Sequence, residues 1–262
     1  MNMEAIRRYW DEQARDRGPD PRATTQDYWM REVEIAQISR ILSRWDQPLR
    51  ILDIGCGNGY STIRLQQTHL IHRFIGGDYS EPMITAACGA LAEVDAPVRD
   101  RIQFKVLDVL RLGEYRSSFD VVVSDRCLIN LPSRELQWDA IDEIWKSLTP
   151  RGHYVAVENF EGGQRNLNEQ RQKLGLKPIP IRWHNRFFDE DEFLAHCVQK
   201  FELNEFTPIS STYYLVTRVV YSKLCEVEGR EPDYDHPIYR IAGALPVVGD
   251  FGPIKLVHMV KK

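Results

Sequence analysis

The chain has 262 residues, a net charge of −4, 43% hydrophobic and 27% charged residues. That length suits one elaborated α/β domain with a full core, and the composition argues against disorder. Mild acidity without a basic stripe argues against a nucleic-acid partner, and no apolar run approaches the ~20 residues of a membrane span.

The five cysteines, Cys56, Cys88, Cys127, Cys197 and Cys225, are odd in number and include no CxxC pair. Neither a disulfide framework nor a structural zinc site is expected. Reduced thiols and a charged start, MNMEAIRRYWDEQARDRGPD, without an apolar signal core predict a cytoplasmic protein.

Residues 1–48 read as an N-terminal helical cap. One polar helix runs from Glu4 to Arg17, GPDP at 18–21 breaks it, and Thr25 caps a second helix to about Trp45. Trp29, Val33, Ile35, Ile38, Ile41 and Leu42 recur there at helical spacing. From residue 49 to 262 short apolar runs alternate with helical stretches. Strands are expected at 50–54, 72–77, 102–107, 119–124 and 153–158, and helices at 59–68, 81–92 and 134–148. Such alternation implies βαβ units, a parallel sheet and helices on both faces.

After Asn159 the rhythm loosens. Residues 160–188 hold a short polar helix and then LKPIPIRWHNRFF, where Pro178 and Pro180 forbid a helix. Asp189 caps a helix to about Lys200, FELNEFTPI reads as a strand, Ser211 to Glu228 as a helix, and IKLVHMVKK as a terminal strand. The segments at about 160–188 and 210–252 read as insertions on the acceptor side of the sheet's C-terminal edge.

ILDIGCGNG places a buried strand before Gly55, Gly57 and Gly59, with a helix following. Glycine permits a tight turn and close approach to a ligand, and a helix start offers free N–H groups. The loop alone also suits dinucleotides or a purely structural turn, although Tyr60 stands where a GxGxxG fingerprint departs from it. Three acids narrow the choice. Asp53 precedes the loop, where a carboxylate would repel a pyrophosphate but suits an ammonium group. Asp78 ends the second strand, where an acid accepts ribose hydroxyls, and Asp108 follows the third, facing an adenine amino group.

With these residues the sequence resembles the class I S-adenosylmethionine-dependent methyltransferase family. The resemblance rests on LDIGCGNG, IGGDYSEPMI, FKVLDVL, FDVVVSDRCLINLP and LTPRGHYVAVE, and covers about Trp45 to Asn159. It implies a Rossmann-like, doubly wound, seven-stranded sheet, mostly parallel with an antiparallel C-terminal strand. S-adenosylmethionine is the implied cofactor, with a site at Asp53, Gly55, Cys56, Gly57, Gly59, Asp78, Tyr79, Met83, Leu107, Asp108, Val109, Ser124 and Asp125. Leu107 would pack on the purine, and Ser124 and Asp125 would border the methionine.

The acceptor must lie in line with the sulfonium, and an alcohol acceptor benefits from a base. His184 is the first candidate base, with an ordinary pKa of ~6.5, and Glu158 the second. Acceptor contacts are expected from Arg126, Asn159, Trp183, Asn185, Arg186, Tyr213 and Tyr214. Asp125, Glu158 and Asn159 also suit magnesium, as in catechol-type methyltransferases, but the flanking sequence differs from that group and no metal is assigned. The stretches NLNEQRQKLGLKPIPIRWHN and STYYLVTRVVYSKL are similar to bacterial methyltransferases of surface-polysaccharide and secondary-metabolite pathways. That similarity implies methyl transfer to an oxygen of a sugar, glycan terminus or small polar metabolite. The alternatives are N-methylation of an aminosugar or small amine, and a non-catalytic S-adenosylmethionine-binding module. The expected partner is a small-molecule or glycan substrate, with homodimerisation left open.

Overall fold

The shortest and most apolar runs of the sequence become the middle of a sheet. The computed structural model describes residues 2–262. Its elements are α1 (Met3–Arg17), α2 (Tyr28–Leu42), β1 (Arg50–Ile54), α3 (Tyr60–Thr68), β2 (Arg73–Asp78) and α4 (Glu81–Ala92). Next come α5 (Ala96–Arg99), β3 (Ile102–Val106), β4 (Phe119–Asp125), α6 (Arg134–Ser147), β5 (Leu148–Asn159), α7 (Glu161–Lys173) and α8 (Glu190–Cys197). The chain ends with β6 (Phe201–Thr207), α9 (Ser211–Tyr214), a π-helical turn (Leu215–Val220), α10 (Tyr221–Val227), α11 (Ile238–Gly243) and β7 (Ile254–Lys261).

Among the described residues the strands form one seven-stranded sheet in the order β3-β2-β1-β4-β5-β7-β6. β1 pairs in parallel with β2 and β4, whereas β7 runs antiparallel to β5 and β6. This is the mostly parallel, doubly wound sheet that the sequence predicts. Successive side chains point to opposite faces and feed two cores. Ile51, Val121, Val123 and Val155 pack with Ile35, Ile38 and Leu42 of α2. Leu52, Ile54, Val122 and Ala156 pack with Ala140, Ile141 and Ile144 of α6. Strands covered on both faces read as continuous apolar runs, as these do. The connection order reverses between β1 and β4, so a crevice opens at their C-terminal ends.

Two local expectations are corrected. Asp27, not Thr25, caps α2: its Oδ1 accepts from the Met30 N–H at 3.2 Å, while the Thr25 hydroxyl accepts from the Asp27 N–H at 3.2 Å. The expected helix over 211–228 is interrupted by the π-helical turn, where Val216, Thr217, Val219 and Val220 are weak helix formers. The Thr217 hydroxyl donates back to the Tyr213 carbonyl at 2.7 Å within it.

The later insertions are pinned over the crevice. The Phe188 N–H donates to Asn159 O at 2.9 Å, and the Glu161 N–H donates to Phe188 O at 2.8 Å. Ile179, between the two prolines, is held by Asn168 Oδ1 at 2.8 Å and by Gln164 Nε2 at 2.7 Å. From the other end of the chain, Asp11 of α1 accepts from the Ser80 hydroxyl at 2.6 Å.

Gly76 of β2 leaves room for the Phe104 ring, which a Cβ at that position would overlap. Because an aromatic ring packed in a core yields poorly, Gly76→Ala is expected to cost about 1–3 kcal/mol of stability. Chemical denaturation of the variant beside the parent checks this; equal midpoints would show that the Phe104 ring moves aside freely.

Candidate cofactor and acceptor site

The loop between β1 and α3 is shaped by what it must avoid. Gly55 and Gly57 have φ of 78° and 54°, in the left-handed region that favours glycine. A Cβ on Gly55 would also overlap Cys127. The Gly55 and Cys56 N–H groups donate to Gly77 O at 2.7 and 3.1 Å, which fixes the loop to β2. Asp78 then closes over it: Oδ2 accepts from the Gly57 N–H at 3.0 Å and Oδ1 from the Ser80 N–H at 2.9 Å.

Asp53, Asp78 and Asp125 come from the ends of three adjacent strands and line one cavity of about 260 Å³. Burial pushes Asp53 up to about 7 and Asp78 to about 6, and it raises Asp125 as well. Among the described residues no basic side chain forms an ion pair with Asp53 or Asp78. Hydrogen bonds do partly offset the cost, from the Thr62 hydroxyl at 2.5 Å to Asp53 and from the backbone to Asp78. Buried carboxylates in this state favour a ligand that brings ammonium or hydroxyl donors.

The far wall is built from the end of β5 and the proline-rich loop. Asn159, Ile179, Pro180, Arg182, His184, Asn185 and Phe187 all line it. His184 is 3% exposed and stacks on Tyr9 of α1 at 4.7 Å, with Trp10 and Trp183 edge-on at 5.5 and 5.3 Å. Its Nδ1 and the Asn159 Oδ1 are buried without a hydrogen-bond partner. Burial, aided by Arg182, lowers the His184 pKa to about 4, so the ring is neutral at physiological pH.

A charged roof crosses the cavity. Arg126, at a left-handed φ of 50°, meets buried Glu34 of α2 through Nε and Nη2, at 3.0 and 3.1 Å. Arg218 of the π-helical turn pairs with Asp27 at 2.5 Å, and its guanidinium lies over the rings of Tyr214, Tyr234 and Tyr239. Trp10 donates from Nε1 to Asn130 Oδ1 at 3.2 Å.

Of the residues singled out in the sequence, Asp53, Gly55, Cys56, Gly57, Asp78, Tyr79, Met83 and Asp125 meet at the cavity. So do Arg126, Asn159, His184, Asn185 and Tyr214. The rest are placed elsewhere, for identifiable reasons. Glu158 is fully buried and is not among the residues that line the cavity: its carboxylate accepts from the Ser124 hydroxyl at 2.9 Å and from the Leu128 and Ile129 N–H groups at 3.0 and 3.4 Å. Ser124 is taken up by that bond and by the Tyr154 hydroxyl. Tyr213 is a core residue that donates to Asp27 at 2.5 Å. Trp183 is 56% exposed, and Arg186 donates to Pro132 O at 3.3 Å on the surface. Gly59 starts α3 against Phe104. Leu107, Asp108 and Val109 follow β3 outside the cavity wall, with Asp108 Oδ1 closing a turn onto the Leu110 N–H at 2.9 Å.

The cavity also includes Asp27, Arg31 and Gln164, which the sequence reading did not select. A signal existed for Arg31 and for Glu34 of the roof. Arg31 and Glu34 sit one helical turn apart among the buried positions Met30, Ile35 and Ile38 of α2, where charge is out of place.

Residues 51–152 match the family described as methyltransferase domain. The chain is 34% identical over 111 residues to a 27-O-demethylrifamycin SV methyltransferase of Amycolatopsis mediterranei, covering 42% of this chain and 38% of that protein. It is 27% identical over 182 residues to a demethylmenaquinone methyltransferase of Leptospira interrogans, covering 68% of this chain and 66% of that protein. The match thus spans less than two thirds of either curated relative. The magnesium protoporphyrin IX methyltransferase of Synechocystis PCC 6803, solved with bound S-adenosylhomocysteine, superimposes with a TM-score of 0.64 over 100% of both chains at 16% identity, a likeness of fold.

Asp53 ionises near pH 7 in the folded chain and near 4 when unfolded, so the unfolded state loses its proton first as pH rises. Its contribution to stability therefore falls between about pH 4 and 7. Asp53→Asn cannot ionise, and its stability advantage over the parent is expected to be larger at pH 8 than at pH 5, by on the order of 1 kcal/mol or more. Urea unfolding of both proteins at the two pH values measures it; an advantage that does not grow with pH would mean Asp53 is solvated or paired.

Proposed function

We infer that this chain, which belongs to the class I S-adenosylmethionine-dependent methyltransferase family, transfers the cofactor's methyl group to an oxygen of a small polar or glycan-linked acceptor. The observation that carries this reading is His184: a buried, neutral imidazole with an unpartnered Nδ1, lining the same cavity as Asp53 and Asp78. The free thiols of Cys56 and Cys127 in the cavity wall suit a cytoplasmic setting.

When bound, the cofactor supplies an electrophilic methyl group on a sulfonium. The residues of the chain do the rest. Asp53 and Asp125 would favour positive charge at the methionine end, and Asp78 would accept hydrogen bonds from the ribose hydroxyls. An acceptor hydroxyl held at the far wall would give up its proton to His184 as its oxygen takes the methyl group. Asn159 Oδ1, buried and unpartnered, accepts a hydrogen bond that orients the acceptor. Trp10 and Tyr214 cover the cavity and reduce access of water. The oxygen preference has a parallel in the 27-O-demethylrifamycin SV methyltransferase, which by its name completes an O-methyl group.

Four measurements test the reading. Radiolabelled methyl transfer to a panel of hydroxyl, carboxyl and amine acceptors is followed by alkaline hydrolysis, which releases the methyl group of esters, and by mass spectrometry of the resistant products, which tells ethers from methylamines; exclusively amine products would overturn it. Loss of a general base costs roughly 100-fold or more in rate. His184→Ala should therefore lower kcat by that order while leaving affinity for S-adenosylhomocysteine within about twofold. Because the His184 pKa is lowered to about 4, kcat/KM for the acceptor, measured with the cofactor saturating so that Asp53 and Asp78 are already engaged, should stay level from pH 6 to 8 and decline only toward pH 4, where the ring protonates. An acid limb centred near 6.5 would place the proton acceptor elsewhere. Asp78→Ala should weaken S-adenosylhomocysteine binding by a few kcal/mol in calorimetry, as a buried charged acceptor is lost.

A further inference from the structure

We propose that Arg182 sets the specificity of the acceptor side, selecting acceptors that carry a carboxylate or phosphate close to the atom to be methylated. The proposal rests on the reading of the far wall as the acceptor wall, and it names the class of acceptor which that wall takes. Four arginines line the cavity: Arg31, Arg126, Arg182 and Arg218. Arg126 is committed to Glu34 and Arg218 to Asp27. Arg31 is buried in α2, where it donates to the Pro21 carbonyl. Arg182 alone is exposed, and among the described residues its side chain has neither an ion pair nor a hydrogen bond.

The backbone that carries Arg182 is fixed. Ile179 is tied to Asn168 and Gln164, the Asn185 N–H donates to the Arg182 carbonyl at 3.0 Å, and the Arg186 N–H donates to Ile129 O at 2.7 Å. Pro178 and Pro180 stiffen the same stretch. Its neighbours on that wall, Asn159, Gln164 and Asn185, are neutral. The carboxylates Asp53, Asp78 and Asp125 stand at the strand ends opposite, and Asp27 is occupied by Arg218. An anion that enters beside Arg182 therefore meets a planar fork of donors and no carboxylate on the same wall. Trp183, next in sequence, is 56% exposed and is held edge-on by Tyr9 and His184 at 5.8 and 5.3 Å. Its exposed ring offers the carbon skeleton of a sugar acid an apolar surface beside the cation.

The place of Arg182, two residues before His184, gives its charge a second consequence. A positive charge opposes protonation of a base beside it, and Arg182 adds to the burial that lowers the His184 pKa. An anionic group paired with Arg182 cancels that opposition. The acceptor that fits the wall thus restores basicity to the imidazole that takes its proton, whereas a neutral acceptor leaves the opposition in place.

Ligand-observed NMR titrations of the S-adenosylhomocysteine-bound protein test this with three probes on one scaffold: D-glucose, D-glucuronate and D-glucose 6-phosphate. The parent should bind at least one of the two anions about tenfold more tightly than glucose, as expected of a charge-assisted fork, and the tighter anion tells carboxylate from phosphate. Arg182→Gln should abolish that preference and leave glucose within about twofold. Arg182→Lys should keep only part of it, because an ammonium lacks the planar fork. Equal binding of charged and neutral probes by the parent, no binding of either anion, or a preference that persists in Arg182→Gln would overturn the assignment. Failure of the underlying readings gives different results. An anion preference lost in Arg182→Gln, together with exclusively N-methylated products, would uphold the specificity and overturn the oxygen acceptor. A parent that does not bind S-adenosylhomocysteine would overturn the cofactor assignment, and the acceptor wall with it.

Discussion

The site depends on a cluster of carboxylates that the fold buries before a ligand arrives. Parallel pairing of β1 with β2 and β4 brings Asp53, Asp78 and Asp125 to one edge of the sheet. Burial at that edge raises all three. The core on either side of β1 is continuous and apolar, so the edge cannot splay to admit water without disrupting it. The resulting electrostatic cost is localised where a cationic, hydroxyl-bearing ligand would relieve it. This pattern is common at functional sites, where stability and ligand complementarity are set against each other.

The roof uses charge differently. Glu34 is buried and Arg126 partly so, and Asp27 and Arg218 join segments 191 residues apart in sequence. Removing one partner of such a pair leaves the other uncompensated, so these pairs act more as devices of registration than as sources of net stability. They register α2 against the loop after β4 and against the π-helical turn. Arg126 adopts a left-handed backbone that costs a non-glycine residue on the order of 1–3 kcal/mol, and its two contacts with Glu34 hold it there. The cavity is thus closed by groups from both ends of the chain around the glycine loop in its middle.

The sheet and the glycine-loop wall of the cavity were legible because they depend on local pattern. ILDIGCGNG announces a buried strand, a left-handed turn and a helix start within nine residues, and the parallel register carries Asp78 and Asp125 to the same edge. The far wall was legible only in part. His184 and Asn159 were found because a proline-flanked loop and a strand end point to that edge. Glu158 was misplaced because it adjoins Asn159 in sequence, while strand alternation sends its side chain to the opposite face, under the Leu128 and Ile129 amides. Tyr213 and Tyr214 show the same limit: one is buried against Asp27 and its neighbour faces the cavity. The roof was least legible, since which guanidinium meets which carboxylate across 92 or 191 residues depends on tertiary packing.

The two walls of the cavity differ in charge, and that difference has a chemical consequence. Asp53, Asp78 and Asp125 give one wall its negative character, whereas His184, Asn159, Asn185 and Gln164 line the other with neutral polar groups and Arg182 adds a cation. A sulfonium cofactor loses its positive charge as the methyl group departs, so carboxylates near it stabilise the reactant more than the product. On the proposed reading, the opposite wall would favour the transfer by placement and by accepting a proton. His184 is limited as a strong base by its lowered pKa, but being neutral it holds a free lone pair throughout the physiological range. Its stacking on Tyr9 ties the orientation of that ring to α1. Alignment across a cavity held from both ends of the chain, with little dependence on a strongly basic group, is the chemistry this arrangement favours.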